Sequence, residues 1–321
     1  TARRAGEAWD YSNYNFSLLG LVIEQVSGRP YAGYVRVELA APLELNGTGY
    51  CEDGAAVPGR SRDYESGRRR VEPTPYWTQP RFFAAGGLCS TVLDVVKWQR
   101  ALDEGQVLTP AALQGMRTPT PLPDGLEVEY GFGTRLGATG GHRKSGHTGG
   151  GRSNKAVLAR YRDDDATIAV LINTEGRNPR VVATDLEARI ARLLFGLPEP
   201  ASVVVAVPAQ VLQRHVGQYR YGGRLMRVVA EGGTLKLQTG PRRRDTSPLI
   251  AQGGDVFVRA EEPSVELRFL VRGDKVRGYA RYHNGWFVGL GVRTGDLPAF
   301  GDARNPRRPV RRGKAGGNSD R

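Results

Sequence analysis

The first strong pattern in the chain is an apolar helix that begins just after residue 13. Leucine, valine and isoleucine recur at helical spacing between Leu18 and Val26, and Gly28 follows as a stop signal. The polar tripeptide Tyr11-Ser12-Asn13 precedes this helix, so the pattern predicts a short loop whose far end is anchored in the core. Such a loop holds polar groups rigidly, as chemistry requires. Taken alone, the tripeptide is more typical of a half-buried loop aromatic followed by a helix cap than of a functional site.

Three further helices are predicted before the middle of the chain. The first extends from Tyr31 to about Leu39, and a short one follows Thr109, with proline at its first position. Between them, Ser90 is predicted to cap a helix that ends near Leu102 and places Val92 on its inner face. Residues 51–80 show neither a helical nor a strand period. A long irregular segment of this kind is typical of a functional lid or rim.

From residue 130 onward the period changes from helix to strand. Alternating segments at 130–136, 142–149, 156–161 and 167–173 predict an antiparallel meander. The last of them is apolar on both faces, as expected where helices cover a sheet. An amphipathic helix at 181–195 is the natural cover, with its apolar side chains predicted to face the sheet: Val182, Leu186, Ile190, Leu193 and Leu194.

The last third of the chain consists of short strands separated by glycine turns. The strands are predicted at 219–221, 225–230, 235–239, 256–259, 265–271, 276–282 and 286–292. Even spacing of this kind is typical of a small antiparallel barrel or sandwich. The predicted units are therefore residues 1–196, a linker at 197–208, an all-β domain at 209–300, and a basic tail at 301–321. The tail is rich in Gly, Pro and Arg, which is typical of disorder.

Length and composition fit a globular protein with two domains. The chain has 321 residues, of which 39% are hydrophobic and 25% charged. No apolar run approaches the roughly 18 residues that a membrane span needs. The chain opens on Thr1 without a signal-peptide pattern, so we expect that preceding residues have been removed.

The net charge of +13 arises from 46 basic and 33 acidic residues. Most basic residues are scattered, apart from runs at 68–70 and 242–244 and in the tail. Nucleic-acid binding usually needs a clustered footprint, so we expect no nucleic-acid partner, whereas attraction of the tail to an anionic envelope surface stays open. Cys51 and Cys89 are too few for a zinc site. Sequence leaves open whether they pair, and with that the redox compartment.

Two local motifs carry the candidate chemistry. The chain contains no G-x-S-x-G, H-E-x-x-H or Walker A motif, and its four histidines lack metal-site spacing, so we expect neither a metal nor a cofactor. What remains is Tyr11-Ser12-Asn13 at the head of a helix and His147-Thr148-Gly149 on a strand that leads into Gly150. A strand-edge histidine without function is the alternative interpretation of the second motif.

At these motifs the sequence resembles the penicillin-recognising serine hydrolases, in particular class C β-lactamases, DD-peptidases and their D-amino-acid peptidase and esterase relatives. That superfamily combines S-x-x-K with S-D-N or Y-x-N and with K-T-G or H-T-G. The resemblance covers roughly residues 9–195, and residues 209–297 are similar to the lipocalin-like domain of some members. It implies an α/β hydrolase-type domain of the serine β-lactamase-like class, with an antiparallel sheet covered by helices and incomplete here, followed by a small all-β barrel.

The resemblance also implies a role for each motif residue. Tyr11 would be the base that activates a serine hydroxyl, its phenol pKa lowered by neighbouring positive charge, and His147 would supply charge or a donor beside it. Asn13 would bind the substrate amide. Thr148 and Gly149 would run beside the substrate as an edge strand. The N–H of Gly150 would form half of the oxyanion hole, worth about 3 kcal/mol of transition-state stabilisation.

The first superfamily element is missing from this chain. None of the six lysines has a serine three positions before it, and only ten residues precede Tyr11. The resemblance therefore implies that the nucleophile and its helical half-domain lie outside this sequence, and that the chain alone is inert. Relatives also tend to carry Gly-Phe after the third element, where this chain has Ser153 and Asn154.

Two functions follow as hypotheses. The first is a fragment of a serine hydrolase that acylates and deacylates on a β-lactam, a D-amino-acid peptide or an ester, with a small molecule or peptide as substrate and the absent half-domain as partner. The second is a non-catalytic binding or envelope-associated module that uses the barrel and the basic tail. By resemblance, a periplasmic or extracellular location is favoured over a cytoplasmic one.

Overall fold

The structure is a computed structural model. It describes residues 6, 8–51, 59–66, 71–74, 83–123, 125–151, 153–175, 182–199, 204–240 and 245–297. Much of the irregular segment predicted at 51–80 lies outside these ranges. The basic runs at 68–70 and 242–244 and the tail at 301–321 also lie outside them. The predictions made for these segments therefore stay predictions.

The predicted helices are present, with one addition. Their bounds are α1 Asn13–Ser27, α2 Tyr31–Tyr34, α3 Val92–Asp103, α4 Pro110–Met116, α5 Ala183–Leu194 and α6 Ala209–His215. Helix α2 continues as a π-helix over Val35–Ala40, and Phe83–Ala85 forms a single 3₁₀ turn. Helix α6, which begins after Pro208, was not predicted. Within the described residues, no helix is long and apolar enough to cross a membrane.

The cap and the buried face of α3 differ from the prediction. Thr91, not Ser90, caps the helix, and its Oγ1 accepts a hydrogen bond from the backbone N–H of Asp94 at 3.1 Å. Val92 is exposed, whereas Asp94 is buried. The carboxylate of Asp94 accepts the backbone N–H of Gly47 at 2.7 Å. The helix therefore turns a carboxylate inward because that group fixes the preceding loop.

The strands of the first domain form one main sheet and three small ones. Their bounds are β1 Gly49–Tyr50, β2 Tyr64–Ser66, β3 Val71–Pro73, β4 Leu88–Cys89, β5 Thr120–Pro121, β6 Glu127–Val128, β7 Arg135–Thr139, β8 His142–Gly150, β9 Lys155–Tyr161, β10 Ala166–Ile172 and β11 Thr174–Glu175. Strands β7 to β10 form the predicted antiparallel meander in the order β10-β9-β8-β7. Beside the β1–β4 pair, Cys51 and Cys89 form a disulfide, with their Cα atoms 5.5 Å apart.

The first strand of the meander is shorter than predicted. Strand β7 begins at Arg135, and Tyr130 makes only an isolated bridge to it. The chain turns back between these residues: the N–H of Gly131 donates to the carbonyl of Thr134 at 2.9 Å, and Gly133 adopts a φ of 71°. Only glycine adopts this left-handed conformation at no steric cost, which explains why the alternation does not continue as a strand.

The C-terminal domain is a closed barrel of eight antiparallel strands. Their bounds are β12 Gly217–Tyr221, β13 Arg224–Glu231, β14 Thr234–Gln238, β15 Thr246–Gly253, β16 Val256–Arg259, β17 Glu262–Arg272, β18 Lys275–His283 and β19 Trp286–Gly295. Neighbours in sequence pair with one another, and β19 closes the barrel on β12. Its interior is filled by buried side chains that include Tyr219, Leu235, Phe257 and Leu267. Strand β15 was not predicted because Pro248 is atypical of strand interiors.

Two helices expose apolar side chains that the pattern placed inside. Gly20 is the one buried residue of α1, whereas five apolar residues of this helix are each more than half exposed: Leu18, Leu19, Leu21, Val22 and Val26. The prediction that this face is anchored in the core is therefore wrong for the described residues. Helix α5 packs on the sheet through alanines and Glu187 instead, and leaves Ile190, Leu193 and Leu194 exposed.

The barrel and the sheet share buried contacts. Trp286 at the start of β19 pairs with Gly137 of β7 and is fully buried among residues of the sheet and of α5. Gly137 is required there, since a Cβ atom would lie 2.0 Å from the carbonyl oxygen of Gly285. A second apolar cluster joins Val128 and Tyr130 to Phe287 of the barrel, together with five other buried residues. The predicted domain boundaries stay predictions, but the two units meet through an apolar interface.

Candidate active site

The loop that carries Tyr11 is fixed by the aromatic residue two positions earlier. The indole of Trp9 packs against the ring of Tyr130 at 5.3 Å and the ring of Phe287 at 5.1 Å. Ser12 occupies the cap position of α1 with a φ of −142°, and Asn13 is the first residue of the helix. Asn13 is thus half-buried at the helix start but does not cap it. The barrel and the sheet together hold the loop in place.

Strand β8 offers an unpaired backbone edge at its C-terminal end. Strand β7 pairs with β8 only as far as Arg135 opposite Gly146, whereas β9 pairs with β8 as far as Gly150. Residues 147–150 therefore have one edge bonded to β9 and another that no described strand covers. An edge of this kind is the usual place for an extended peptide to add as a further strand.

Tyr11 and His147 lie together at this open edge. Their rings are stacked, with centroids 5.9 Å apart and planes inclined by 28°. The side chain of Tyr11 is 40% exposed, so its phenol is accessible to a ligand. The structure thus places the first motif beside the second, although most of the first domain's sequence separates them. The roles of the two residues in catalysis stay predictions.

The imidazole of His147 is neutral at neutral pH. Burial, and after it the positive charge of Arg135, lowers its pKa to about 4. Its Nδ1 lies 2.6 Å from the carbonyl oxygen of Thr148, and its Nε2 lies 3.1 Å from the hydroxyl of Tyr130. Burial raises the pKa of Tyr130 to about 12, so that hydroxyl donates to Nε2 while Nδ1–H donates to Thr148. Both ring nitrogens are therefore hydrogen-bonded, which fixes the orientation of the ring, and the side chain carries no positive charge.

The positive charge at the site comes from Arg135, which the sequence did not single out. Its guanidinium carbon lies 5.4 Å from the ring centroid of Tyr11 and 6.0 Å from that of Tyr130. One terminal nitrogen donates to the carbonyl oxygen of Phe287 at 2.7 Å, and Nε has no hydrogen-bond partner among the described residues. Burial lowers the pKa of Arg135, but an arginine remains protonated in proteins.

Two glycines of β8, one on either side of His147-Thr148, differ in the steric reason for a glycine at their positions. At Gly146 a Cβ atom would lie 1.9 Å from the carbonyl oxygen of Leu158, so the sheet itself excludes any side chain there. At Gly149 a Cβ atom would meet only the methyl group of Ala156, at the ordinary distance of 3.5 Å. Packing inside the protein therefore does not explain Gly149. Its exposed backbone at the open edge instead suits the close approach of a ligand.

The arrangement supplies the parts of a proton-transfer and strand-binding site. An accessible phenol lies beside a buried cation, and an unpaired strand edge begins at the same point. Among the described residues, no group of three or more histidine, cysteine or acidic side chains could hold a metal ion. Sequence reasoning missed Arg135, because the exposure of an arginine on a strand depends on which residues fold over it.

Comparison with known proteins agrees with this geometry. A family profile described as Beta-lactamase matches residues 2–192, which is more than half of the chain. This chain belongs to the β-lactamase family. The match includes both Tyr11-Ser12-Asn13 and His147-Thr148-Gly149, and it ends near the end of α5. The barrel therefore follows the part of the chain that defines the family.

Among curated members of the β-lactamase family, the chain is similar to a D-aminopeptidase and to a penicillin-binding protein. It is 27% identical over 247 residues to the D-aminopeptidase of Brucella melitensis biotype 2, covering 75% of this chain and 46% of the relative. It is 26% identical over 305 residues to Penicillin-binding protein 4* of Bacillus subtilis, covering 87% of this chain and 65% of that relative. The chain thus spans about half the length of the first relative and about two thirds of the second.

A solved structure shows the same fold. The octameric penicillin-binding protein homologue from Pyrococcus abyssi aligns with a TM-score of 0.54 and 22% identity, covering 91% of this chain and 66% of that chain. Since the alignment extends over nine tenths of this chain, it includes most of the barrel as well as the β-lactamase family domain. This likeness shows the β-lactamase-like fold, whereas the family rests on the profile match. The expected β-lactamase-like fold with a C-terminal barrel is confirmed, and the α/β hydrolase-type label given to it from the sequence is supported only in part.

Proposed function

We propose that this chain forms two walls of an acyl-transfer site for D-amino-acid peptides or amides, and that a segment with a Ser-x-x-Lys nucleophile completes the site. The stacking of Tyr11 on His147 at the open edge of β8 is the observation that carries the proposal. The similarity to a D-aminopeptidase favours a D-amino-acid substrate over a β-lactam or a simple ester. The chain alone is inert, because it has no nucleophile.

In the proposed reaction, Tyr11 transfers the proton, Arg135 supplies positive charge, and the edge of β8 binds the substrate. Tyr11 accepts the proton of the serine hydroxyl as that oxygen attacks the substrate carbonyl, and returns it to the leaving amine. The guanidinium carbon of Arg135 lies 5.4 Å from the centre of the Tyr11 ring, so a positive charge stands beside the reacting groups where negative charge develops in the transition state. The backbone of Thr148 and Gly149 binds the peptide as an added strand.

Two further residues hold the reacting group. The side chain of Asn13 makes no hydrogen bond to a described residue and is free to bind the substrate amide. The N–H of Gly150, at the end of the open edge, donates to the oxyanion that forms on the carbonyl oxygen. His147 keeps the edge at a fixed distance from the phenol through its bonds to Thr148 and Tyr130.

Exposed apolar surface marks where the completing segment docks. Helix α1 presents five exposed leucines and valines directly after the Tyr11 loop, and β10 is an edge strand of the sheet in the described structure. Solvent-exposed apolar faces of this size are typical of interfaces. The segment with the nucleophile would cover α1 and thereby place its serine beside Tyr11.

The test compares this chain with a longer protein in which the residues encoded upstream of Thr1 precede it. We expect this chain alone to show only background hydrolysis of D-alanine p-nitroanilide, nitrocefin and a p-nitrophenyl ester. We expect the longer protein to hydrolyse the D-alanine anilide, and Tyr11→Phe to reduce kcat by at least about a hundredfold.

Tyr14→Phe is the matched control, because Tyr14 lies three residues further along and is 81% exposed. It should leave turnover unchanged. The proposal is overturned if this chain alone turns over the substrates, if Tyr11→Phe is as active as Tyr14→Phe, or if the longer protein encodes a Ser-x-x-Lys and still shows no activity.

A further inference from the structure

A cavity of about 160 Å³ lies between the Tyr11 loop and the barrel. Residues 9–11 line it from one side. The hairpin residues 220–223 line it from the other, together with residues 288–290 and Val292 of β19. Because Tyr11 is one of the lining residues, the cavity opens next to the proposed acyl-transfer site. None of the motifs from the sequence analysis predicted this contribution of the barrel.

The cavity has an apolar wall of suitable size for one small side chain. Val288, Leu290 and Val292 alternate along β19 on the outer face of the barrel, and Trp9 stands opposite them. An engineered apolar cavity of about 150 Å³ binds a molecule as large as benzene. A branched aliphatic side chain of three or four carbon atoms, such as that of valine or leucine, therefore fits the volume.

Three glycines belong to the barrel side of the cavity lining, namely Gly222, Gly223 and Gly289. Gly222 and Gly223 form the tight turn between β12 and β13 with φ values of 53° and 77°. A two-residue hairpin turn of this type requires positive φ at both positions, so glycine is favoured there. At Gly289 a Cβ atom would lie 2.7 Å from the ring of Tyr221, which covers this position of β19.

Two opposite charges line the same cavity, and neither has a partner in the part of the chain that the structure describes. Asp10 and Arg220 are both exposed, and neither makes an ion pair or a side-chain hydrogen bond with a described residue. Across the barrel pairing, Arg220 lies opposite Val292, so its charge stands at the edge of the apolar wall. A ligand that carries an ammonium, a carboxylate and a short apolar group would satisfy all three features.

We infer that this cavity binds a zwitterionic amino acid with a small branched side chain, with its ammonium on Asp10, its carboxylate on Arg220 and its side chain against β19. Charged hydrogen bonds of this kind are about twice as strong as neutral ones. That the bound amino acid is the D-residue released by the neighbouring site rests on the proposed function. The binding itself does not depend on catalysis.

The test uses this chain as it stands, with D-valine and two analogues that each lack one charge. Isobutylamine keeps the ammonium, and isovalerate keeps the carboxylate. Binding is measured by calorimetry and by the NMR shift of the Trp9 indole. We expect D-valine to bind at least about tenfold more tightly than either analogue, because each lost charged hydrogen bond is worth about a factor of ten.

Variants assign each charge to its residue. Asp10→Asn should weaken D-valine about tenfold and leave isovalerate unchanged, and Arg220→Gln should weaken D-valine and leave isobutylamine unchanged. Arg224→Gln is the matched control, since Arg224 is an exposed residue of the same hairpin outside the cavity. It should change nothing.

The inference is overturned if D-valine does not bind, if the analogues bind as tightly as D-valine, or if Arg224→Gln has the same effect as Arg220→Gln. Its failure is separable from failure of the proposed function. A longer protein that hydrolyses D-alanine p-nitroanilide, together with a chain that does not bind D-valine, would sink the cavity site alone.

Discussion

Two polar clusters lie where the sheet meets the barrel. Two consecutive residues of β19 contact them, Trp286 the first cluster and Phe287 the second. The indole N–H of Trp286 donates to the carboxylate of Glu187 at 3.0 Å, and the carbonyl oxygen of Phe287 accepts from Arg135 at 2.7 Å. Each cluster contains one buried cation. The clusters differ in what that cation is paired with.

In the first cluster the cation is fully neutralised. Lys144 and Glu187 are both 0% exposed, and the ammonium lies 2.9 Å from the carboxylate. The hydroxyl of Tyr161 also donates to Glu187, and Lys144 donates to the carbonyl oxygen of Asn284 at 2.9 Å. Burial lowers the pKa of Lys144 to about 8, against the opposing effect of Glu187. Every charged atom has a partner, so this cluster is structural.

In the second cluster the cation has no carboxylate among the described residues. Arg135 instead faces two tyrosines and a neutral histidine, and its Nε is left without a partner. Tyr11, the outermost of these groups, is accessible to solvent. An uncompensated buried charge costs stability, and it is retained at sites where developing negative charge needs support. The same interface thus holds one cluster whose buried cation is paired with a carboxylate, the closed cluster, and one whose buried cation has no carboxylate among the described residues, the open cluster. The proposed chemistry belongs to the second cluster.

The largest predicted effect comes from the closed cluster. Glu187→Gln should lower the free energy of unfolding by about 3–5 kcal/mol, because it leaves the ammonium of Lys144 buried without a counter-charge. Urea denaturation followed by circular dichroism measures this. Asp163→Asn, which breaks the exposed pair of Arg143 and Asp163, should cost less than about 1 kcal/mol. Equal losses in the two variants would contradict the structural role.

The burial of His147 in the open cluster should make the free energy of unfolding depend on pH in the acidic range. The pKa of His147 is about 4 in the folded protein and about 6.5 in the unfolded chain. Between these values the unfolded state binds a proton that the folded state does not, so stability falls as pH falls from 6.5 to 4, by up to about 3 kcal/mol.

His147→Gln should remove that part of the slope, leaving what the other groups contribute. The measurement is the free energy of unfolding at pH 6.5 and pH 4 for both proteins. NMR titration of the imidazole provides a direct check, with an expected midpoint near 4. A midpoint near 6.5, or the same slope in the variant, would show that the ring is not held neutral by its surroundings.

The smallest effect on stability is predicted at Arg135. Arg135→Met should change the free energy of unfolding by about 1 kcal/mol or less, since the unpaired Phe287 carbonyl is offset by the removal of a buried, uncompensated charge. In the longer protein the same variant should lower kcat strongly and change KM only slightly. Denaturation and steady-state kinetics together separate the two effects. A stability loss as large as that of Glu187→Gln would place Arg135 in the structural class.

The sequence was informative where local pattern and structure depend on the same residues. Strands β8, β9 and β10 begin and end within one residue of the predicted bounds, because their alternation and the turn between β9 and β10 are local signals. The contact of Tyr11 with His147 followed from matching two motifs to one family. Neither inference needed to know which faces are buried.

The sequence misled wherever burial depends on distant neighbours. The apolar residues of α5 were expected to face the sheet, yet alanines pack there and Leu193 is 84% exposed. Trp286 was not recognised as an interface residue, because the residues that bury it come from the other domain. Arg135 was not recognised as a site residue, because its neighbours Tyr11 and Tyr130 and the carbonyl of Phe287 are distant in sequence or separated from it by a turn. A hydrophobic period shows that a helix has two faces, but it does not show which face a remote strand will cover.

The most direct test of the central claim is the structure of the longer protein whose serine has been phosphonylated by a D-alanine-derived phosphonate ester. We expect the hydroxyl of Tyr11 within about 3 Å of the modified serine oxygen. We also expect the N–H of Gly150 about 2.7–3.1 Å from the phosphonyl oxygen. An adduct whose serine lies far from Tyr11, with the phosphonyl oxygen turned away from the edge of β8, would contradict this claim.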